Sequence, residues 1–421
     1  MKRVLLVATT TGYQIRSFGE AAAALGIGLV FASDRCDQLE DPWWDQAIPV
    51  RFHDEAASIE AVRTAIAATP IDGIIAVGDR PAVLAAGIAA VLGLPWHPRD
   101  AAAISRNKLA TRMALRAAGL STPAFLTAPL DTDAAVLVPQ LRYPAVVKPL
   151  ALSGSRGVVR VNTEAELRAA FGRLRRLLSA ADVRFERDEA HHQVLIESFI
   201  SGTEYAVEGL LTDGTLQTLA IIDKPDPLDG PFFEETIYRM PSTASPSTRA
   251  AIITAVADAC AAIGLRHGPM HAECRVQTDD PDVPQVYVLE VAARPIGGLC
   301  SRALRFSGDA SLEMVLLRHA VGEDVSSCIR EVAASGVMMI PIPRRGIYRR
   351  VIGVEAAKDV AGVENVVITA KPDTVLMPLP EGKSYLGFIF ARGGDAPAVD
   401  RALRDAHARL AFVIERELAV V

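Results

Sequence analysis

Short apolar segments alternate with amphipathic ones along roughly the first 100 residues. Apolar runs at 4–8, 28–32 and 71–77 have the length of buried strands, and the segments at 13–25, 56–68 and 81–92 have helical periodicity. Asp79 is predicted to cap the third of these helices, because Pro81 follows near its first turn. Strands that alternate with helices in this way predict a doubly wound, mostly parallel sheet. Loop 9–13 lacks the GxGxxG pattern of a dinucleotide site.

A period of two is clearest between residues 270 and 298, where two strand-like runs flank a turn rich in Asp and Pro. The apolar face is predicted to hold every second residue of each run: Met270, Ala272, Cys274, Val276, Tyr287, Leu289 and Val291. A hairpin centred on Pro281 and Asp282 places Glu273 opposite Glu290 on the polar face. Two carboxylates so close favour a divalent cation such as Mg²⁺ between them, but a solvated hairpin fits the pattern equally well.

A second hairpin is predicted around a loop of glycine and serine. Residues 144–149 form a strand that carries Lys148, loop 153–157 follows, and the return strand at 158–161 brings Val158 opposite Lys148. Such a loop can lie close over a phosphate while the lysine contacts phosphate oxygens. A flexible turn without a ligand is the alternative, because the spacing differs from that of a P-loop. Lys108, on a polar helical stretch from Arg99 to Gly119, reads alone as a solvated side chain.

Carboxylates recur on the strands that follow. Residues 193–209 predict a strand ending at Glu197, an apolar crossing, and a second strand on which Glu204 and Glu208 share a face. A crossing of this type can present backbone amides to an adenine and a carboxylate to a ribose, although an edge strand with exposed glutamates is the alternative. The long, proline-rich segment 224–241 carries aromatic residues and Glu235, and such segments in compact domains favour function.

The remaining elements are predicted from periodicity alone. Helical segments are expected at 247–263, 301–321 and 398–416, and strands at 337–342, 351–354, 366–369 and 386–391.

Composition narrows the class of protein. A chain of 421 residues is long enough for two or three domains. Its net charge of −6 argues against a nucleic-acid partner, and its five cysteines without a CxxC pair argue against a disulfide framework or a zinc site. No apolar run reaches the roughly 18 residues of a membrane span, and the N-terminal run is too short for a signal peptide. The expectation is a cytoplasmic protein.

The order of these motifs is more specific than any one of them. A helix lysine, a strand lysine with its Gly/Ser loop, a strand-end glutamate, two paired carboxylates and Arg294 follow one another. This order resembles the ATP-grasp superfamily over essentially the whole chain. Three runs are most similar to the L-amino acid ligases: LEVAARPIGG at 289–298, DKPDP and FFEETIYRMPS within 223–242, and GKSYLGFIFARGGDAPAVDRALRDAHARL at 382–410.

The resemblance implies an α/β and α+β protein with an ATP-grasp fold. The expected domains are a doubly wound, Rossmann-like pre-ATP-grasp domain at 1–105, an ATP-grasp domain at 106–329 and an L-amino acid ligase-type α+β domain at 330–421.

The resemblance also implies roles for single residues. The ATP phosphates would contact Lys108, Lys148, Ser153, Gly154, Ser155 and Gly157, and the adenine would contact Glu197, Ser198, Phe199 and Ile200, with Glu204 or Glu208 near the ribose. Glu273 and Glu290 would bind Mg²⁺, or Mn²⁺ in its place. Arg294 and Lys148 are the implied catalytic residues. The implied substrate-binding residues are Glu235, Tyr238, His271, Arg294, Gly297 and Gly298, with Glu235 near the substrate amino group.

This sequence departs from the family pattern at three positions in or near the implied site. Ala292 stands where many ATP-grasp enzymes have the Asn of an E-x-N motif, so a second metal would be bound less fully. Tyr238 stands where some dipeptide ligases have His, and Arg156 is unusual within a Gly/Ser loop.

The implied activity is that of an ADP-forming carboxylate–amine ligase. It would join an amino acid carboxylate to an amine through an acyl phosphate, with small-molecule substrates and neither nucleic acid nor membrane as a partner; a homodimer is compatible with the family. The alternatives are a carboxylase-type or purine-pathway ligase with another acceptor, and a nucleotide-binding module without catalysis. The run YLGFIFARG at 385–393 favours the amino acid ligases.

Overall fold

The computed structural model describes residues 1–10, 14–34, 47–278 and 284–417. Most of loop 9–13 and the predicted turn at Pro281 and Asp282 lie outside the described residues. No helix in the described ranges is long and apolar enough to cross a membrane.

The first part of the chain is a parallel sheet between helices, as predicted. Its four strands have the order β3-β2-β1-β4, and residues 4–8 of the central strand are almost completely buried. The elements are β1 (Arg3–Ala8), α1 (Ile15–Leu25), β2 (Gly28–Ser33), β3 (Ile48–Pro49), α2 (Glu55–Ile66), β4 (Gly73–Val77) and α3 (Asp79–Leu92). Gly78, not Asp79, is the N-cap of α3, so that prediction was wrong. The Asp79 side chain contacts Arg294 instead.

Two helices, α4 (Arg99–Arg106) and α5 (Lys108–Ala117), lead into the next domain. The stretch predicted as helical breaks at Asn107, whose extended backbone ends α4 and whose side chain caps α5 by accepting from the backbone N–H groups of Leu109 and Ala110. Lys108 is therefore the first residue of α5, and its backbone N–H donates to the carbonyl of Leu150 at 2.9 Å. The break turns Lys108 towards the Gly/Ser loop.

A small antiparallel sheet carries that loop, and its strand order is β5-β8-β6-β7. The elements are β5 (Phe125–Pro129), β6 (Ala145–Pro149), β7 (Val159–Val161), α6 (Glu164–Leu178), α7 (Ala181–Arg184) and β8 (Gln193–Ser198). Val147 pairs with Val159, which confirms the predicted register of the hairpin. Helix α6 covers one face of the sheet through Leu167, Phe171 and Leu174.

An eight-stranded sheet of order β13-β12-β9-β10-β11-β16-β20-β18 runs from the middle of the chain into its last part. The middle part contributes β9 (Thr203–Thr212), β10 (Thr215–Asp223), β11 (Ile237–Met240), α8 (Pro246–Ile263), β12 (Gly268–Gln277), β13 (Gln285–Ala292), β14 (Arg305–Phe306), β15 (Ala310–Ser311) and α9 (Leu312–Ala320). The whole of 301–321 was predicted to be helical, but helix α9 covers only its second half.

The last part of the chain extends this sheet and adds a smaller one. Its elements are β16 (Ala334–Ile340), β17 (Gly346–Ile352), α10 (Val354–Lys358), β18 (Val363–Ile368), β19 (Val375–Leu376), β20 (Gly387–Gly393), α11 (Ala396–His407) and β21 (Ala411–Glu415). The predicted helix at 398–416 was wrong beyond His407, because β21 pairs with β17. Strand β11 pairs with β16, so residues beyond 330 share the sheet that carries the site.

The hairpin of β12 and β13 contains a bulge that the period of two did not predict. Glu273 pairs with Glu290 as predicted, but Cys274 pairs with Val288, so Leu289 is an extra residue. The extra residue reverses the alternation of β13. The buried residues of β13 are Val286, Val288, Val291 and Ala292, and the prediction of Tyr287 and Leu289 as core residues was wrong. Leu289 and Glu290 both line the cavity described below.

Candidate active site

A cavity of about 300 Å³ is lined by residues of both antiparallel sheets. It brings together eighteen of the predicted site residues: Lys108, Lys148, Ser153, Gly154, Ser155, Glu197, Ser198, Phe199, Ile200, Glu204, Glu235, Tyr238, His271, Glu273, Glu290, Arg294, Gly297 and Gly298. Gly157 and Glu208 do not line it. Residues far apart in the sequence thus meet around one space.

Lys148 lies at one end of the cavity beside Glu197, on the neighbouring strand. Its Nζ is 2.5 Å from Glu197 Oε2, and Nε of the fully buried Arg112 is 2.5 Å from Glu197 Oε1. Burial alone would raise the pKa of Glu197, but the two cations lower it to about 2. Burial in turn lowers the pKa of Lys148. Both oxygens of Glu197 are engaged, so its side chain positions Lys148; its predicted contact with adenine stays a prediction.

The Gly/Ser loop is held from two sides. Lys108 Nζ donates to the carbonyl of Leu152 at 2.8 Å and lies 3.1 Å from Glu290 Oε2. On the other side, the backbone N–H of Gly157 donates to Pro380 O at 2.8 Å, and Arg156 Nε donates to Glu381 O at 3.0 Å. Arg156 therefore fastens the loop to the last part of the chain. Gly157 has a φ of +77°, and a Cβ there would lie 2.9 Å from Leu174 and Leu177. Glycine is therefore needed at this position both for the backbone conformation and for the close packing.

Three carboxylates surround Lys224 at the other end of the cavity. Nζ of Lys224 lies 2.8 Å from Glu204 Oε1 and 3.2 Å from Glu273 Oε1, and it donates to Glu235 Oε1. Tyr238 Oη donates to Glu235 Oε2 at 2.7 Å. Burial, followed by repulsion from Glu273, raises the pKa of Glu235 to about 7.

Glu204 and Glu208 have structural partners rather than open faces. Glu204 lines the cavity, but its oxygens are held by Lys224 and by Arg275 Nε at 2.9 Å. Glu208 is fully buried and accepts from the backbone N–H of Ile296 at 3.1 Å and pairs with His271 Nδ1 at 3.0 Å. Of the two residues predicted to lie near the ribose, Glu204 lines the cavity and Glu208 does not, so the contact with ribose stays a prediction for Glu204. Desolvation opposes protonation of His271, but hydrogen bonds to Glu208 and Glu273 raise its pKa to about 9.

Arg294 is positioned by the first domain. Its Nε donates to Asp79 Oδ1 at 2.7 Å, and its Nη1 donates to Pro295 O at 3.0 Å. Although desolvation opposes it, the Asp79 carboxylate raises the pKa of the guanidinium above its ordinary value. A second cavity of about 400 Å³ begins at Arg294 and is lined by residues of β4, α3 and α4 as well as by Ser153 and Gly297. Arg294 is thus accessible from two sides.

The donor set of Glu273 and Glu290 fits a hard divalent cation. The two residues are paired across β12 and β13, and their side chains are 24% and 26% exposed. Carboxylate oxygens are the ligands that Mg²⁺ and Mn²⁺ prefer. Ala292 has no side-chain ligand. Within the described residues, the carboxylates that β12 and β13 offer to a metal are therefore those of Glu273 and Glu290.

Several residues around the cavity were not predicted. Arg112 and Lys224 were missed because a single cation on a polar helix or loop reads as solvated, and their partners lie far away in the chain. These two residues lie behind the cavity wall. Residues that line the cavity itself and were not predicted include Phe233, Arg275, Leu289, Met339, Lys383, Ser384, Tyr385 and Phe388. The alternation in β12 placed Arg275 on the same face as Glu273, and that was the one usable signal.

Comparisons with known proteins agree with this geometry. Family profiles match residues 19–96 as an ATP-grasp N-terminal domain, 141–303 as an ATP-grasp domain and 338–415 as L-amino acid ligase C-terminal domain 2. A D-alanine–D-alanine ligase B from Chromobacterium violaceum is 30% identical over 222 residues, which cover 52% of this chain and 67% of that protein. The chain belongs to the ATP-grasp superfamily.

Two further comparisons are with a ligase and a synthase. The crystal structure of an L-amino acid ligase from Bacillus licheniformis superimposes with a TM-score of 0.84 at 28% identity, over 99% of both chains. Carnosine synthase 1 from Mus musculus is 27% identical over 230 residues, which cover 51% of this chain and 27% of that protein. The chain spans between 53% and 67% of the length of the first curated relatives.

Proposed function

We propose that this ATP-grasp ligase joins the carboxylate of an amino acid to an amine through an acyl phosphate, and releases ADP and phosphate. The observation that carries the proposal is that one cavity is lined both by cationic and by acidic side chains. Lys108, Lys148 and Arg294 supply the positive charges, and Glu235 with Tyr238 supplies an acceptor for an ammonium group. An amino acid zwitterion carries both complementary charges.

In the proposed reaction, the carboxylate attacks the γ-phosphorus of ATP and ADP leaves. Lys148, Lys108 and the 153–157 loop bind the phosphates, the backbone at 198–200 faces the adenine, and Arg294 binds the carboxylate oxygens. Mg²⁺ held by Glu273 and Glu290 would screen the phosphate oxygens further. One cation about 4 Å from an oxyanion contributes roughly 4 kcal/mol at an effective dielectric near 20, so cationic screening is the main aid to this step.

In the second step, the amine attacks the acyl carbon, loses a proton and displaces phosphate. The second cavity supports this step, because it reaches Arg294 from the side of the first domain and meets the loop proposed to bind phosphate at Ser153 and Arg156. An amine bound there would meet the acyl phosphate beside the guanidinium. Water exclusion around the acyl phosphate protects it from hydrolysis.

The apolar part of the cavity favours an amino acid over bicarbonate. Met339, Tyr385 and Phe388, from the last part of the chain, line the cavity, and Tyr385 and Phe388 lie with ring centroids 6.3 Å apart. A side chain of the donor amino acid would fill this space, which bicarbonate has no group to fill. Cytoplasmic location and a homodimer stay part of the proposal.

The test is phosphate release from MgATP across pairs of amino acids, with mass spectrometry of the products. ADP, phosphate and a product mass equal to the sum of the two substrates minus water are expected. Glu290→Gln should lose turnover, while Glu355→Gln, on exposed helix α10, serves as the control. AMP as the product would refute the acyl phosphate, and ATP hydrolysis without any joined product would refute the ligase.

A further inference from the structure

Lys224 occupies the centre of a carboxylate triad that has the dimensions of a metal site. One oxygen from each of Glu204, Glu235 and Glu273 lies within 4.8 Å of the other two, so a single cation can contact all three. The ammonium of Lys224 makes these three contacts, and its side chain is only 3% exposed. A lysine therefore stands where the geometry would otherwise accommodate an ion.

The partners of Lys224 occupy all of its N–H donors, so none is left for a phosphate. A lysine ammonium has three N–H donors, and three carboxylate oxygens surround this one. Its Nζ also lies 5.4 Å from the centre of the Tyr238 ring, which favours a cation there. Lys224 thus differs from Lys108 and Lys148, because its contacts are with carboxylates of the proposed donor site.

The partners of the triad differ from one carboxylate to the next. Besides Lys224, Glu204 contacts Arg275 Nε at 2.9 Å and Glu273 lies 3.9 Å from His271 Nε2, whereas the second partner of Glu235 is the neutral hydroxyl of Tyr238. Buried charges are stable when they are paired. Glu235 is therefore the member of the triad with room for an ammonium group. Without Lys224, the three carboxylates would lose the cation they share, and a divalent ion could take its place.

We propose that Lys224 is a built-in cation that prevents this triad from binding a divalent metal and reserves Glu235 for the ammonium group of the donor amino acid. The second half of the statement rests on the proposed function; the first half does not. Glu273 belongs both to the triad and to the pair with Glu290. By holding Glu273 Oε1, Lys224 separates the metal-binding side of this carboxylate from the ammonium site.

The first experiment measures binding of Mn²⁺ to the nucleotide-free protein by electron paramagnetic resonance of the free ion. Lys224→Met, which keeps the length of the side chain but removes the charge, should bind about one more Mn²⁺ per chain than the wild type. Lys224→Arg keeps the charge and should bind no more than the wild type. Adding Glu235→Gln to Lys224→Met removes one ligand and should abolish the additional site. Lys358→Met, an exposed lysine on α10, is the matched control.

The second experiment compares kinetic constants. The KM for the donor amino acid should rise at least about tenfold in Lys224→Met, with partial recovery in Lys224→Arg, because a charged hydrogen-bond network is lost. The KM for ATP should change less than about twofold. A purely structural lysine would lower the melting temperature without separating the two KM values.

The outcomes distinguish this inference from the proposed function. A folded Lys224→Met with unchanged Mn²⁺ stoichiometry would overturn it even if the enzyme ligates amino acids. If Lys224→Met does not fold, Lys224→Gln, which also lacks the charge, decides: an unchanged Mn²⁺ stoichiometry in that variant would overturn the inference, and so would additional Mn²⁺ in Lys224→Arg. Absence of any amino acid ligation would remove the proposed function but leave the Mn²⁺ result standing.

Discussion

Replacement of Arg112 by methionine should destabilise the protein strongly, although the side chain does not line the cavity. Arg112 is fully buried, and its guanidinium contacts Glu197 at 2.5 Å and donates to the carbonyls of Val288 at 3.2 Å and Leu289 at 2.7 Å. Loss of one partner of a buried ion pair costs about 3–5 kcal/mol, because the other charge stays buried. We expect a loss of that size in the free energy of unfolding.

The assay is urea unfolding at pH 7.5, followed by circular dichroism. Arg116→Met, on the exposed side of the same helix, is the matched control and should change stability by less than about 1 kcal/mol. Because Lys148 also pairs with Glu197, the triple variant Arg112→Met/Lys148→Met/Glu197→Met removes the whole group of buried charges and should recover part of the loss. A single Arg112→Met variant within about 1 kcal/mol of the wild type would refute the reasoning, and so would a triple variant that is less stable than the single one.

Three further predictions follow from the site and its surroundings. Asp79→Asn should lower kcat about tenfold with an unchanged KM for ATP, because Arg294 loses its charged partner; Asp100→Asn, an exposed carboxylate on α4, is the control, and equal kcat values would contradict the prediction. Arg156→Met should raise the KM for ATP, measured by phosphate release, because the Gly/Ser loop loses its hydrogen bond to the carbonyl of Glu381. An unchanged KM would mean that this contact does not contribute to nucleotide binding. Burial lowers the pKa of His97 from 6.5 to about 4, so its contribution is present above pH 6.5 and is lost as the pH falls. The contribution lost by pH 5 is about 2 kcal/mol, and His97→Asn should show a correspondingly flatter stability profile between pH 7 and 5 in urea titrations.

The register of the strands at the site was easier to predict from the sequence than the contacts between side chains. Alternation in β12 and the spacing to Glu290 were enough to place Glu273 opposite Glu290, because a hairpin register follows from local pattern. The bulge at Leu289 was not predictable in this way, since it depends on which valines of β13 fit the core. Strand β21 was missed for a related reason: residues 411–415 follow a helix directly, and their strand conformation comes from pairing with β17.

Buried cations were the largest gap in the sequence-based prediction. Arg112 contacts a carboxylate 85 positions away, and Lys224 contacts one 49 positions away, in Glu273. No local period links such residues, so each reads as solvent-exposed until the sheets are assembled. The same holds for Asp79, whose predicted role as a cap was reasonable locally but was displaced by a contact with Arg294. The conformation of the Asp79 side chain is therefore set by an ion pair between domains and not by the local preference for a helix cap.

The last part of the chain is integral to the cavity rather than attached to it. Strand β16 continues the sheet of the ATP-grasp domain through its pairing with β11, and Met339 and Phe388 reach the cavity from β16 and β20. The segment before β20 also holds the Gly/Ser loop, through Pro380 and Glu381. Groups fixed in this way need little reorganisation when charge develops on a bound phosphate, which is the condition for effective electrostatic stabilisation. The same domain therefore shapes the proposed donor pocket and positions the loop proposed to bind ATP, so substrate choice and phosphate positioning are physically linked in this fold.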